Sequence, residues 1–197
     1  MDYTLPRALR VGGTEYDVRY DFRVILDICA ALEDPDLAKE DKAYVALDIF
    51  YPEFDSIPPE DQQEALKQCY WFINGGEENL GTKGPKLVSW DQDVKQIISP
   101  INGVIGREIR DIPYDKKTNT GGLHWWTFLA AYMDIGDCLF AQIVRIRDRL
   151  ARGKKLDKQD MEWYRKNKHL VDIRQKLSTA EADELALWGG AKRSPST

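Results

Sequence analysis

Catalysis needs groups that act together, and few residues in this chain are spaced to do so. There are two histidines, His124 and His169. A general base at His124 would need an acid, a nucleophile or an orienting group within reach. The sequence offers no Gly-x-Ser-x-Gly string, no catalytic cysteine constellation and no His-rich motif, so His124 reads as a structural histidine. Cys29, Cys69 and Cys138 are far apart, odd in number and set among apolar residues. They read as buried free thiols rather than a disulfide or redox pair. Neither histidine lies near a cysteine, which leaves a zinc site almost nothing to build from. Asp91-Gln92-Asp93 is a D-x-D string of the kind that holds metals. It sits where a helix begins, however, and acids favour the positive end of a helix without any metal. Gly12-Gly13 and Gly75-Gly76 lack phosphate-loop spacing and its Lys-Ser/Thr ending. The expectation is a protein that is not an enzyme, with no catalytic residue, no cofactor and no metal.

Two other groups of residues suit binding. Trp125 and Trp126 are adjacent, and neighbours on a helix point about 100° apart. One indole enters a core easily, and the other needs a second partner. The spacing Leu123, Trp126, Leu129, Ala130, Met133 puts Trp126 on the core side. Trp125 and Phe128 then lie beside that stripe, available to a neighbouring copy. The second group is basic: Arg145, Arg147, Arg149, Arg152, Lys154, Lys155, Lys158, Arg165, Lys166 and Lys168. Arg145 and Arg149 share a helix face, and Arg147 points away from it. A helix, a Gly-containing turn and a basic second helix loosely resemble a helix-turn-helix. That supports an alternative function, a DNA-binding regulatory protein using the basic 142–169 helices. A pI near 5.2 argues against generic DNA binding. The candidate partner-binding residues are Trp125, Phe128, Arg145, Arg149, Trp163 and Tyr164.

Charge is unevenly spread. Residues 1–101 hold 10 Lys/Arg against 20 Asp/Glu, and residues 142–177 hold 12 against 5. Such asymmetry speaks to partners rather than to fold. A length of 197 residues suits one domain with a real core. No apolar run approaches the roughly 20 residues that span a membrane. Met1-Asp2-Tyr3-Thr4 lacks the features of a signal peptide, so the host cell cytoplasm is the expected location.

The elements that position these residues read as mainly helical. Residues 7–20 form a β-hairpin around Gly12-Gly13, with Leu9, Val11, Tyr16, Val18 and Tyr20 alternating. Asp21 caps a helix carrying Phe22, Ile25, Leu26, Cys29 and Leu32. Ala43, Ala46, Leu47 and Phe50 make a second stripe. Pro58-Pro59 opens a third helix with Ala65, Leu66, Cys69, Tyr70 and Ile73 on its apolar face and Gly75 at its end. Residues 75–89 are a loop. A fourth helix starts near Trp90 and carries Val94, Ile97, Ile98, Ile101 and Ile105; Pro100 should kink or split it. A second loop spans 111–121. The Trp-pair helix follows, apolar over much of its circumference. A sixth helix carries Leu139, Phe140, Ile143, Ile146 and Leu150, and Asp157 caps a seventh. Ser178-Thr179-Ala180-Glu181 is a capping box for a last helix through Leu185, Leu187 and Trp188. The expected organisation is a single-domain helical bundle over 1–188, with the hairpin 7–20 packed on it, and a flexible C-terminal tail, 189–197.

Several strings together resemble one family. They are the Gly-turn hairpin Leu9–Val18, the helix start Asp21-Phe22, and Cys69-Tyr70-Trp71-Phe72-Ile73-Asn74-Gly75-Gly76. Trp90-Asp91-Gln92-Asp93-Val94, Leu123-His124-Trp125-Trp126-Thr127-Phe128 and Trp163-Tyr164-Arg165-Lys166-Asn167-Lys168 follow in order. In these the chain resembles the bacteriophage "gene product fifteen" family and the siphophage tail assembly chaperones encoded upstream of the tape measure protein. The segment 109–122 departs from the Tyr-rich pattern of that family. The resemblance implies a chaperone that oligomerises, shields the tape measure protein during tail assembly and is absent from the finished virion. Its implied partners are the tape measure protein, the tail tube protein and further copies of itself, and neither membrane nor nucleic acid is among them.

Overall fold

Gly12 and Gly13 take φ of 57° and 82°, the left-handed geometry of a two-residue hairpin turn. They join β1 (Ala8–Val11) to antiparallel β2 (Thr14–Asp17), with Leu9 opposite Tyr16. In the computed structural model, the described residues are 4–78, 84–174 and 176–183. The hairpin does not stand alone: Leu9, Val11 and Val18 are buried, and Gly12 N–H donates to Glu64 at 3.1 Å.

Most of the other described residues are helical, and the molecule is mainly α as expected. Asp21 caps α1 (Phe22–Leu32), accepting from Arg23 N–H at 3.0 Å. Its buried face is Phe22, Val24, Ile25 and Ile28. Leu26, Cys29 and Leu32, expected on the same stripe, are only partly buried. α2 (Lys39–Phe50) buries Ala46, Leu47 and Phe50. A 3₁₀ turn at Pro59–Asp61 leads into α3 (Gln62–Ile73). Its buried face is Ala65, Cys69 and Phe72, whereas Tyr70, expected there, is exposed.

α4 (Trp90–Ile105) continues through Pro100 without the split that the proline suggested. It buries Ile97, Ile98 and Ile101, so packing outweighs the one backbone bond that proline removes. A 3₁₀ turn, Ile109–Asp111, leads into the segment expected as a plain loop, 111–121, which holds a short hairpin of two-residue strands, β3 (Tyr114–Asp115) with β4 (Thr120–Gly121). This hairpin is tied to the N-terminal one. The Asn119 amide donates to Val18 O at 2.9 Å, and Tyr20 O–H donates to Asn119 O at 3.2 Å.

α5 (Trp125–Met133), α6 (Leu139–Ala151), α7 (Lys158–Lys166) and α8 (Lys168–Val171) complete the numbered helices. α6 buries Phe140, Ile143 and Ile146; Leu139 and Leu150, expected on that stripe, are exposed. Asp157 caps α7 as expected, accepting from Asp160 N–H at 2.8 Å. The capping box at Ser178 forms reciprocally, with Ser178 N–H donating to Glu181 at 2.8 Å and Glu181 N–H to Ser178 Oγ at 3.2 Å. The expected continuation through Leu185, Leu187 and Trp188, and the tail 189–197, lie outside the described residues. Among the described residues, no helix is long and apolar enough to cross a membrane.

Candidate functional site

His124 and Asp21 stand side by side, each capping a helix. His124 Nδ1 accepts from Trp126 N–H at 3.1 Å, which caps α5. Its Nε2 lies 2.8 Å from Pro6 O, a carbonyl that only accepts. The proton is therefore on Nε2 and the ring is neutral. Burial pushes the His124 pKa below its ordinary value, the bond to Pro6 acts the other way, and Arg7 lowers it further. Backbone bonds stitch the two caps together: Phe22 N–H to Leu123 O at 3.0 Å and Trp125 N–H to Tyr20 O at 2.7 Å. Asp21 accepts from Leu123 N–H at 2.8 Å and takes the Arg23 guanidinium at 2.7 and 3.0 Å. Gly122, at φ 77°, leaves room for that carboxylate; a Cβ there would fall on Asp21 Oδ2. With both ring nitrogens engaged, His124 ties the start of α5 to the N-terminal segment at Pro6, while Asp21 and the two backbone bonds join α5 to α1.

The tryptophan pair lies the other way round from the sequence expectation. Trp125 is 1% exposed and Phe128 is fully buried, so neither is a free contact for a partner. Trp125 stacks on Phe128 with centroids 5.2 Å apart, and Phe128 stacks on Phe22 at 5.0 Å. Trp126 is half-buried, Ala130 is exposed and Met133 is 82% exposed. α5 has two apolar faces of helical spacing, and the core takes the one that carries Trp125, Phe128 and Ala131. Both indoles reach the last turn of α3, whose final carbonyls have no partner within the helix. Trp125 Nε1 donates to Ile73 O at 2.8 Å, and Trp126 Nε1 donates to Phe72 O at 2.9 Å.

Two open hollows flank this contact. One, of about 640 Å³, is lined by Lys67, Gln68, Tyr70, Trp71, Asn74, Glu77 and Glu78. The other, of about 670 Å³, includes Leu5, Trp126, Leu129, Ala130 and Met133, and shares Asn74 and Glu77 with the first. They form one groove along the end of α3 and the outer face of α5. The sequence reading missed it because Tyr70 was placed in the core and Met133 on the core stripe. The available signal was a helix apolar on two faces, only one of which can be inside.

The charged candidates are largely occupied within the molecule. Arg145 pairs with Asp160 at 2.9 Å, and Arg149 donates to Lys155 O at 2.8 Å. Tyr164 O–H donates to Asp172 at 2.9 Å, and Trp163 is half-buried. Arg147, which points away from Arg145 and Arg149 as expected, is buried. It grips Asp93 at 2.6 and 3.0 Å and donates to Leu87 O, Leu170 O and Val171 O at 2.9, 2.8 and 2.6 Å. Sequence reasoning did not pair it, although an arginine one residue past Ile146 on a buried face calls for an acid.

No group of three or more metal-ligating side chains occurs among the described residues. Cys29, Cys69 and Cys138 are free. Burial raises the Cys29 thiol to about 12 and raises Cys69 further, so both stay protonated at neutral pH. No curated protein and no solved structure matches the chain. The family model described as Bacteriophage Gp15 protein matches residues 1–173. That span holds the hairpin, the paired caps, the groove and the Arg147 contacts, and the chain belongs to the bacteriophage Gp15 family.

Proposed function

We propose that this protein is a tail assembly chaperone. It acts without catalysis, shields apolar stripes of the tape measure protein in the host cytoplasm, and leaves before the tail is finished. The groove beside the tryptophan pair is the observation that carries this reading. Met133, Leu5 and Tyr70 are 82%, 43% and 40% exposed along it. Large apolar side chains gathered at one place on a surface mark an interaction site. A long tape-measure helix exposes such stripes until tube protein covers them. Many copies bound weakly along one partner gain avidity without strong single contacts. Further copies of this chain and the tail tube protein are its other partners in this reading.

The test is co-expression with fragments of the tape measure protein from the same phage. Retention of the chaperone on a tagged fragment, and its absence from purified virions, are the expected results. A fragment set spanning the whole tape measure that retains none of it would overturn the proposal.

A further inference from the structure

We infer that the groove along the end of α3 and the outer face of α5 docks an amphipathic partner helix whose apolar stripe is bordered by Lys or Arg. The inference rests on the chaperone reading and adds which surface acts and what it selects. The two hollows, about 640 and 670 Å³, meet at Asn74 and Glu77. Two open hollows joined in this way suit side chains at i, i+3 or i+4, and i+7 of a helix rather than a compact ligand.

The wall chemistry suits such a stripe. Trp71 and Trp126 stand edge to face, with centroids 5.3 Å apart. Trp126 is held by its bond to Phe72 O at 2.9 Å. Gly76 gives that ring its space, since a Cβ at Gly76 would lie 2.7 Å from it. A fixed indole presents area without losing freedom on binding, while Met133 is flexible enough to fit varied side chains.

Charge decides the borders of the occupant. Glu77 and Glu78 are exposed at the rim, and among the described residues that line the two hollows Lys67 is the one cation. These two carboxylates attract cations and repel acids, so they select a basic-bordered helix over an acidic one.

The full chain is titrated with two labelled designed helices of about 18 residues. They share one leucine stripe, bordered by lysine in one and by glutamate in the other. The lysine peptide should bind at least about tenfold more tightly than the glutamate peptide. Met133→Asp and the pair Glu77→Lys, Glu78→Lys should each weaken it about tenfold. Melting should stay unchanged, because these side chains are exposed. Equal binding of the two peptides, or wild-type binding by Met133→Asp, would overturn the inference. The same variants are tested on tape measure fragments. If wild type and Met133→Asp are retained equally, the groove assignment fails and the chaperone reading stands. If no fragment is retained while the peptides still discriminate, the groove stands and the chaperone reading fails. A loss of self-association in Met133→Asp without loss of peptide binding would assign the groove to a second copy and overturn the inference.

Discussion

Trp125 and Trp126 share a helical turn but do different work. Trp125 fills the core between Trp90 and Phe128, so Trp125→Ala should cost about 3–5 kcal/mol. Trp126→Ala removes a half-buried ring and one bond to Phe72 O, and should cost about 1–2 kcal/mol. Urea denaturation checks the order; a larger loss at Trp126 would restore the face read from the sequence. That reading failed for a definite reason. Leu123, Trp126, Leu129, Ala130 and Met133 fit the helical period, but so do Trp125, Phe128 and Ala131. Periodicity cannot choose between two apolar faces. His124 carries a second prediction at this scale. Burial lowers its pKa in the folded protein, so below its ordinary value of 6.5 the unfolded chain takes up a proton that the folded chain refuses. Stability should therefore fall as pH drops through that value and be fully present above it. His124→Asn keeps an acceptor at the cap and removes the titration. Its urea midpoint should fall less than that of wild type between about pH 7.5 and 5.5. Parallel slopes would mean that other groups set the acid response.

Between elements, one buried arginine joins parts distant in sequence. Arg147 on α6 meets Asp93 on α4, Leu87 before α4, and Leu170 and Val171 in α8. All five of its N–H donors are satisfied, a set that a lysine cannot reproduce. Arg147→Met leaves the buried Asp93 charge without its cation, and should cost about 3–5 kcal/mol. Limited proteolysis should then open near residues 168–174 first. Adding Asp93→Leu should recover part of the loss, and a single-variant cost below about 1 kcal/mol would contradict this account. Asp93 was legible as a first-turn acid, and it does accept from Ser89 N–H at 2.9 Å. Its partner was not, because the pair is 54 residues apart. The order of hairpin and helices was legible, since caps, prolines and glycines are local signals. The β3–β4 hairpin was hidden, because two-residue strands carry no alternation.

At the scale of the whole molecule, the acidic first half and basic 142–177 segment bear on association between copies. Part of that basic charge is spent internally, at Arg145–Asp160 and Arg152–Asp148. The remainder still outweighs the acids there. Copies are expected to associate at low salt and to separate as salt rises, since exposed charges are screened over about 8 Å at physiological ionic strength. Light scattering across a salt series measures this. A strict monomer at high micromolar concentration in low salt would end the self-association claim. An oligomer indifferent to salt would assign the contact to apolar burial such as the groove. The groove itself was the least legible part of the site. It arises where α3 ends against α5, and no stretch of sequence contains both.

The five-bond arginine also sets an order on synthesis. A ribosome delivers Leu87, Asp93 and Arg147 well before Leu170 and Val171. Until those last carbonyls emerge, the guanidinium has its carboxylate and one backbone acceptor, and two of its five bonds are missing. The helices can gather on the nascent chain, but closure waits for α8. A transcript broken, or a chain stopped, between codons 148 and 169 would leave a nearly complete bundle with an unsatisfied cation inside it, a good substrate for host proteases. The family match ends at residue 173, just beyond the carbonyls that complete the clasp.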